Sequence, residues 1–166
     1  MRKATQTLAL AALGVLWLAG AAALATGVGD DIRRTTDPLL QGGSGGPGDV
    51  HTTLRHLLEI AAGLGHEARL PAAVQAKLDA ASAQAQRRSP LDEAARAAAA
   101  EAYAALNQGS AFAVPREVGT IDQAKAYGRG QVNRAVAAVS AGRPQAAARE
   151  LVGLVLLVTT PMEAKP

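Results

Sequence analysis

Beyond residue 48, apolar residues recur every three or four positions, the spacing that places side chains on one face of a helix. The clearest stripe is formed by Val50, Leu54, Leu57, Leu58, Ala61 and Leu64. Five such stripes predict five helices, which run from Asp49 to about Leu64, from Pro71 to about Arg87, from Pro90 to before Gly109, from Ile121 to Gly142, and from Pro144 to before Pro161.

Residues with capping chemistry mark the predicted helix ends. Ser89 is the predicted N-cap of the third helix, with Asp92 three positions later. Thr120 and Gln123 predict a capping box at the start of the fourth helix. Glycines indicate where helices stop: Gly63 and Gly65, Gly109 and Gly142. Two further glycines, Gly128 and Gly130, interrupt the fourth stripe and predict close approach of a neighbouring helix, because glycine otherwise destabilises a helix by about 1 kcal/mol.

The last predicted helix contains LVGLVLLV, Leu151 to Val158, the most apolar run outside the N-terminus. The preceding QAAARE favours a helix, and it makes the element too long for a typical buried strand. A helix that is apolar nearly all round must be covered by other elements, so this one should be the most enclosed. The sequence therefore predicts an all-α fold: a small up-and-down bundle or α-hairpin array of about five helices.

Residues 1–25 have the pattern of a signal peptide. Arg2 and Lys3 precede an apolar stretch from Leu8 to Leu24, and Ala23-Leu24-Ala25 fits a cleavage site before Thr26. The alternative is an uncleaved membrane anchor, since about 17 apolar residues is the short limit for a membrane span. Both interpretations predict an exported protein, periplasmic or secreted, that contacts a membrane only through residues 1–25 if they remain.

The remaining chain divides by composition into three parts. Residues 26–48 lack periodicity and end in a Gly/Ser/Pro tract, which predicts a flexible linker. Residues 49–161 form the predicted alanine-rich helical domain, and residues 162–166 form a C-terminal tail. Within the linker, Gly42 to Gly46 match the G-x-S-x-G pattern of hydrolases. We interpret this as a consequence of glycine content, because neither flank of the serine is a predicted strand.

Charge and cysteine content exclude several classes of function. Two of the seventeen basic residues, Arg2 and Lys3, lie in the N-terminal segment, which leaves fifteen basic and fourteen acidic residues in the remainder. Their charges alternate along the helices and form no basic patch with interleaved aromatic residues, so nucleic acid is not a predicted partner. The chain has no cysteine, which rules out disulfides, thiol catalysis and cysteine metal sites.

Three residues near the first predicted helix are candidate metal ligands: His56, Glu59 and His66. His56 and Glu59 are three positions apart, and His66 follows the predicted end of the helix. His51 is excluded because five positions place it about 140° around the helix from His56. The alternative is that these are ordinary surface residues, with His66 favoured near a helix C-terminus by the helix dipole.

Lys125 lies within the apolar stripe of the fourth predicted helix, close to the line of Ile121 and Val132. It could anchor a bound anion. The alternative is a lysine whose aliphatic stem covers apolar surface while its amine reaches water. Tyr103 and Tyr127 are interpreted as residues that pack at the edge of the core.

The last two predicted helices resemble one tetratricopeptide unit over Gln131 to Pro161. Gly142 would occupy the corner between the helices, Ala147 the small packing position and Leu151 the large one. The sequence departs from that pattern at Arg134 and Leu154. The resemblance implies a helical hairpin, and a single such unit requires neighbours to bury its core.

These observations predict an exported, non-catalytic helical module of the cell envelope, with a protein partner or a second copy of itself and no cofactor. No arrangement of nucleophile, base and acid can be assembled from the spacing. The alternative is a small metal- or ligand-binding bundle. An open apolar groove would favour the interaction module, whereas a pocket ringed by His56 or Lys125 would favour ligand binding.

Overall fold

The computed structural model describes residues 27–41, 47–87 and 92–161, and within these ranges the regular secondary structure is entirely helical. The predicted all-α fold is confirmed. Six helices are described: α1 (residues 27–40), α2 (Pro47–Glu67), α3 (Ala72–Arg87), α4 (Glu93–Leu106), α5 (Ile121–Ser140) and α6 (Pro144–Thr159). The predicted signal peptide and C-terminal tail lie outside the described residues. Among the helices described, none has the length and apolar character that crossing a membrane requires.

The helices are arranged around α6, which packs against α2, α4 and α5. Helix α3 packs against α2 and α4, so α2, α3, α4 and α6 form a closed ring of four helices. Helix α1 lies between α2 and α5. Asp31 of α1 is 3.5 Å from His56 of α2, and Leu40 at the other end of α1 accepts a hydrogen bond from Arg129 of α5.

The alternating direction of successive helices is broken once. Arg96 in the first turn of α4 contacts Thr160 after α6, so α4 is antiparallel to α6. Helix α5 is also antiparallel to α6 because Gly142 joins them at a tight corner with a φ of +67°. Helices α4 and α5 are therefore parallel, and the segment 107–120 between them must run the length of the bundle.

Helix α6 is the most enclosed element described, as its apolar sequence predicted. Its buried residues are Ala147, Ala148 and the continuous run Leu151 to Leu157. Gly153 lies within this run, and a Cβ atom there would be 3.2 Å from the Tyr103 ring and 2.8 Å from the Gln131 amide nitrogen. The glycine therefore lets side chains from α4 and α5 pack directly on the α6 backbone.

The prediction of a flexible linker over residues 26–48 is wrong for residues 27–40, which form α1. Ile32 is fully buried, and Thr36 and Leu40 are nearly so. These residues repeat every four positions, which gives one narrow buried face on an otherwise polar helix. The Thr36 hydroxyl donates to the Ile32 carbonyl at 2.9 Å, which satisfies the polar group inside the core. Tertiary packing supplies the stability that this short apolar stripe lacks on its own.

The predicted end of α2 is also corrected. The helix continues past Gly63 and Gly65 to Glu67, and the chain leaves it through Arg69 in the left-handed region with a φ of +51°. Gly65 instead serves packing, because a Cβ atom there would be 2.8 Å from the Leu78 side chain of α3.

The two predicted N-terminal caps have different outcomes. The N-cap of α4 is Asp92, whose carboxylate accepts from the Ala95 amide at 2.9 Å, and the predicted cap, Ser89, lies outside the described residues. The capping box of α5 is confirmed. The Thr120 hydroxyl accepts from the Gln123 amide at 3.2 Å, and the Gln123 side chain accepts from the Thr120 amide at 3.1 Å.

The two glycines inside α5 also differ. A Cβ atom on Gly128 would be 3.0 Å from both Leu154 of α6 and Leu40 of α1, so close approach of neighbouring helices is confirmed there. A Cβ atom on Gly130 would be near one side chain only, at 3.2 Å from the guanidinium of Arg134 on the same helix. Close helix packing therefore requires glycine at position 128 and does not explain the one at position 130.

Candidate functional site

Four helix ends surround an open cleft of about 360 Å³, which we call the apolar cleft. It lies where α1 and α6 end and where α2 and α5 begin. Among the described residues that line it, seven are apolar and the other two are a lysine and a threonine. The lining residues are Leu39, Leu40, Val50, Ile121, Ala124, Lys125, Leu157, Val158 and Thr160.

The capping box at Thr120 fixes the first turn of α5 against this cleft. Ile121, Ala124 and Lys125 stand at positions i, i+3 and i+4, so the same helix face presents all three to the cleft. Ile121 has 65% of its surface exposed and is the one large hydrophobic residue so exposed in the part of the chain that the structure describes. The first turn of α5 therefore presents apolar surface to solvent beside the cleft.

Hydrogen bonds hold the other walls. The Arg129 guanidinium donates to the Leu40 carbonyl at 3.0 Å, which places a cation at the C-terminal end of the α1 dipole. The Thr160 hydroxyl donates to the Leu156 carbonyl at 2.7 Å and ties down the last turn of α6. With these bonds and the close packing at Gly128, the cleft is bordered by well-anchored backbone.

Lys125 is the charged residue of the cleft lining. It is partly buried, and it forms no ion pair with any residue in the ranges 27–41, 50–87 and 92–161, whose side chains the structure describes. Its ammonium group is a compact point charge that can accept an anion in many orientations. The predicted role of Lys125 as an anion anchor and its alternative as a lysine covering apolar surface both remain compatible with this position.

The structure brings together two of the three predicted metal ligands. His56 Nδ1 is 3.1 Å from a Glu59 carboxylate oxygen, and His56 Nε2 is 3.5 Å from an Asp31 oxygen. Gln86 of α3 donates to the other Glu59 oxygen. The contact of Nε2 with Asp31 links α2 to α1, whereas the contact of Nδ1 with Glu59 lies within α2. The carboxylates of Glu59 and Asp31 therefore lie at opposite sides of the imidazole ring. In this arrangement the two carboxylates and His56 cannot all bind one metal ion.

The third predicted ligand, His66, lies elsewhere. Helix α2 continues through it, so His66 is ten positions from His56, about 15 Å along the axis. Its Nε2 is 3.2 Å from Asp79 of α3. The three predicted residues therefore do not form one site, and no group of three His, Asp or Glu side chains suited to a metal occurs among the described residues.

His51 was set aside in the sequence and proves to be buried, with 6% of its surface exposed. Within the described residues its Nδ1 atom has no hydrogen-bond partner. It is not one of the residues that line the apolar cleft. Its burial follows from its place on the core side of α2, beside Leu54 and Leu58 in the helical spacing.

The tyrosines pack at the edge of the core, as predicted. The Tyr103 and Phe112 rings meet edge to face with centroids 5.3 Å apart, which fastens the segment 107–120 to α4. Burial raises the pKa of Tyr103 above its ordinary value, so its phenol stays neutral across the physiological range. The Arg134 guanidinium lies 5.5 Å from the centre of the Tyr127 ring, a cation–π contact on α5.

A larger and more polar cleft of about 870 Å³ occupies the opposite end of the bundle, where α2, α4 and α5 end. Its lining includes Arg143, Arg149 and Glu67. The Arg149 guanidinium is 3.5 Å from Glu150, and Glu150 also pairs with Arg134 at 3.1 Å. Charges of both signs therefore lie in and around this cleft.

Sequence reasoning identified Lys125 and the first turn of α5, but it missed the cleft that they border. Two of its walls come from Leu39 and Leu40 of α1, a helix that was not predicted. The available signal was the four-residue spacing of Ile32, Thr36 and Leu40. Comparison with known protein families, curated proteins and solved structures found no match for this chain, tetratricopeptide proteins included.

Proposed function

We propose that this chain is an exported, non-catalytic helical interaction module of the cell envelope, and that it binds a protein partner at the apolar cleft. The observation that carries the proposal is an open apolar cleft with Ile121 exposed at its edge. Burial of such surface against a partner stabilises a complex by roughly 25 cal/mol per Å² before the costs of association.

The arrangement supports the proposal because the cleft is both apolar and well anchored. Residues that dominate binding energy at interfaces cluster in well-packed pockets, and the contacts around them exclude water. Leu40, Val50 and Leu157 provide apolar walls, and hydrogen bonds hold the adjacent helix ends. Export is proposed from the pattern of residues 1–25.

A second candidate function is a small ligand-binding bundle. The observation that favours it is Lys125, a cation in an otherwise apolar lining. The form of this alternative that used His56, Glu59 and His66 as metal ligands is not favoured, because His66 lies about 15 Å away along α2.

Site-specific photo-crosslinking tests the protein-interaction proposal. A photoreactive phenylalanine analogue replaces Ile121 in one variant and Ala126 in a matched control. Both positions are exposed on α5, but Ala126 is not part of the cleft lining. After irradiation of cells that make the protein, we expect position 121 to give a discrete product of higher mass that position 126 does not give.

The same product should weaken when Ala124 is replaced with phenylalanine, because the larger side chain would fill the cleft. Mass spectrometry of the product distinguishes a different protein from a second copy of this chain. Equal products from positions 121 and 126, or no product from either, would contradict recognition at the cleft.

A further inference from the structure

The apolar cleft also has the size and polarity of a small-molecule site. Protein cavities that bind ligands span about 300–1,000 Å³ and are mostly apolar, with a few polar groups that fix the ligand's orientation. This cleft has a volume of about 360 Å³ and seven apolar lining residues. We propose that it binds a small amphiphile composed of one alkyl chain and one anionic head group. The proposal goes beyond partner binding and does not depend on it.

The volume sets the length of the alkyl chain. An apolar cavity of about 150 Å³ is known to hold benzene, which has six carbons. By that proportion, about 360 Å³ accommodates roughly twelve to fourteen carbons. A single chain of about ten to twelve carbons would therefore fill most of the cleft, whereas a two-chain lipid would exceed it.

The charge of Lys125 predicts the kind of head group that the ligand carries. Among the side chains that the structure describes (residues 27–41, 50–87 and 92–161), Lys125 carries the one formal charge of the lining, and none of their carboxylates is paired with it. An ammonium group beside apolar surface favours an anion and disfavours a cation. Thr160 cannot provide a second strong donor, because its hydroxyl proton is directed to the Leu156 carbonyl. We therefore expect the site to distinguish ligands by the charge of their head group and not by its detailed shape.

The test uses decanoate as the probe, below its micelle-forming concentration, with the protein in its exported form. Isothermal titration calorimetry compares decanoate with decanol and with decyltrimethylammonium, which carry the same chain with no charge or a positive charge. Decyl phosphate is a further arm that distinguishes a carboxylate from a phosphate head group. We expect one decanoate per chain, weaker binding of decanol and the weakest binding of the cation.

Chain length provides an independent measure of the cleft. Each added methylene that is buried should raise the affinity by about two- to four-fold. The gain should stop near twelve carbons, where the cleft is full. An affinity that rises unchanged to sixteen carbons would show that the chain binds outside this cleft and would overturn the proposal.

Matched variants separate binding in the cleft from general adsorption. Lys125→Gln should weaken decanoate binding by about three- to ten-fold and leave decanol unchanged. Lys77→Gln removes a lysine on α3 that pairs with Glu101 outside the cleft, and it should have no effect. Ala124→Phe should reduce binding of both probes by filling the cleft. Ala126→Phe, the same change at an exposed position on α5, should not.

Equal affinity for decanoate, decanol and decyltrimethylammonium would overturn the proposal, as would undetectable decanoate binding. Equal loss in Lys125→Gln and Lys77→Gln would also do so. These outcomes are independent of photo-crosslinking at position 121, so either proposal can fail while the other stands. Displacement of the crosslinked partner by decanoate would show that both use the same surface.

Discussion

Helix α6 passes through two apolar environments, one enclosed by neighbouring helices and one open to solvent. From Leu151 to Leu157 it is buried among α2, α4 and α5, and Gly128 and Gly153 allow neighbouring side chains to reach it. Leu157, the last residue of this run, and Val158 also border the apolar cleft of about 360 Å³, which is open between the ends of the surrounding helices. Both environments are built from leucine, valine and alanine.

The comparison shows that the apolar residues of a helix need to be covered by other elements. The positions at which the neighbouring helices end decide which of those residues are covered. In the middle of α6, each neighbouring helix contributes a continuous face. At the cleft, α1 ends at residue 40 and α2 begins at Pro47, and Ile121 is exposed nearby. We propose that the first region serves stability and the second serves binding.

The largest loss of stability should come from Leu154→Ala, in the part of α6 that is buried among α2, α4 and α5. Leu154 is fully buried and lies against Gly128, so truncation creates a cavity that the rigid helices cannot fill. We expect the free energy of unfolding to fall by about 2–5 kcal/mol, measured by urea denaturation. A loss below about 1 kcal/mol would contradict close packing around α6.

A smaller difference in the free energy of unfolding should distinguish substitutions at the two glycines of α5. Gly130→Ala should raise the free energy of unfolding by up to about 1 kcal/mol, because alanine favours helix and the new methyl meets only a movable arginine. Gly128→Ala places its methyl 3.0 Å from two buried leucines. We expect it to be less stable than Gly130→Ala by about 1–3 kcal/mol. Thermal melts of the two variants measure this difference, and equal stability would contradict it.

The smallest effect on stability should come from Ile121→Ser in the open region. Ile121 is 65% exposed, so its replacement should change the free energy of unfolding by no more than about 0.5 kcal/mol. The same variant should lose crosslinking from a photoreactive group placed at neighbouring position 122, which is exposed and lies outside the cleft lining. A loss of stability comparable to that of Leu154→Ala would show that position 121 belongs to the core and not to a binding surface.

Prediction from sequence succeeded where the signal is local. The stripes of α2, α5 and α6 and the capping box at Thr120 depend on residues within one or two turns, and each was found. Prediction failed at Gly65, which resembles a helix stop but lies inside α2, because its reason is the packing of Leu78 from another helix. It failed at α1 for the same reason, since Ile32 and Leu40 gain stability only from the core that they join.

The sequence by itself determined an all-helical chain, the apolar character of α6 and the position of Lys125 within an apolar stripe. These follow from periodicity and helix propensity, which act over a few residues. Only the tertiary structure decided that residues 27–40 form a helix, that His56 and His66 are apart, and that four helix ends leave a cleft beside Lys125. Those outcomes depend on where helices end relative to one another, which the packing of the whole chain determines.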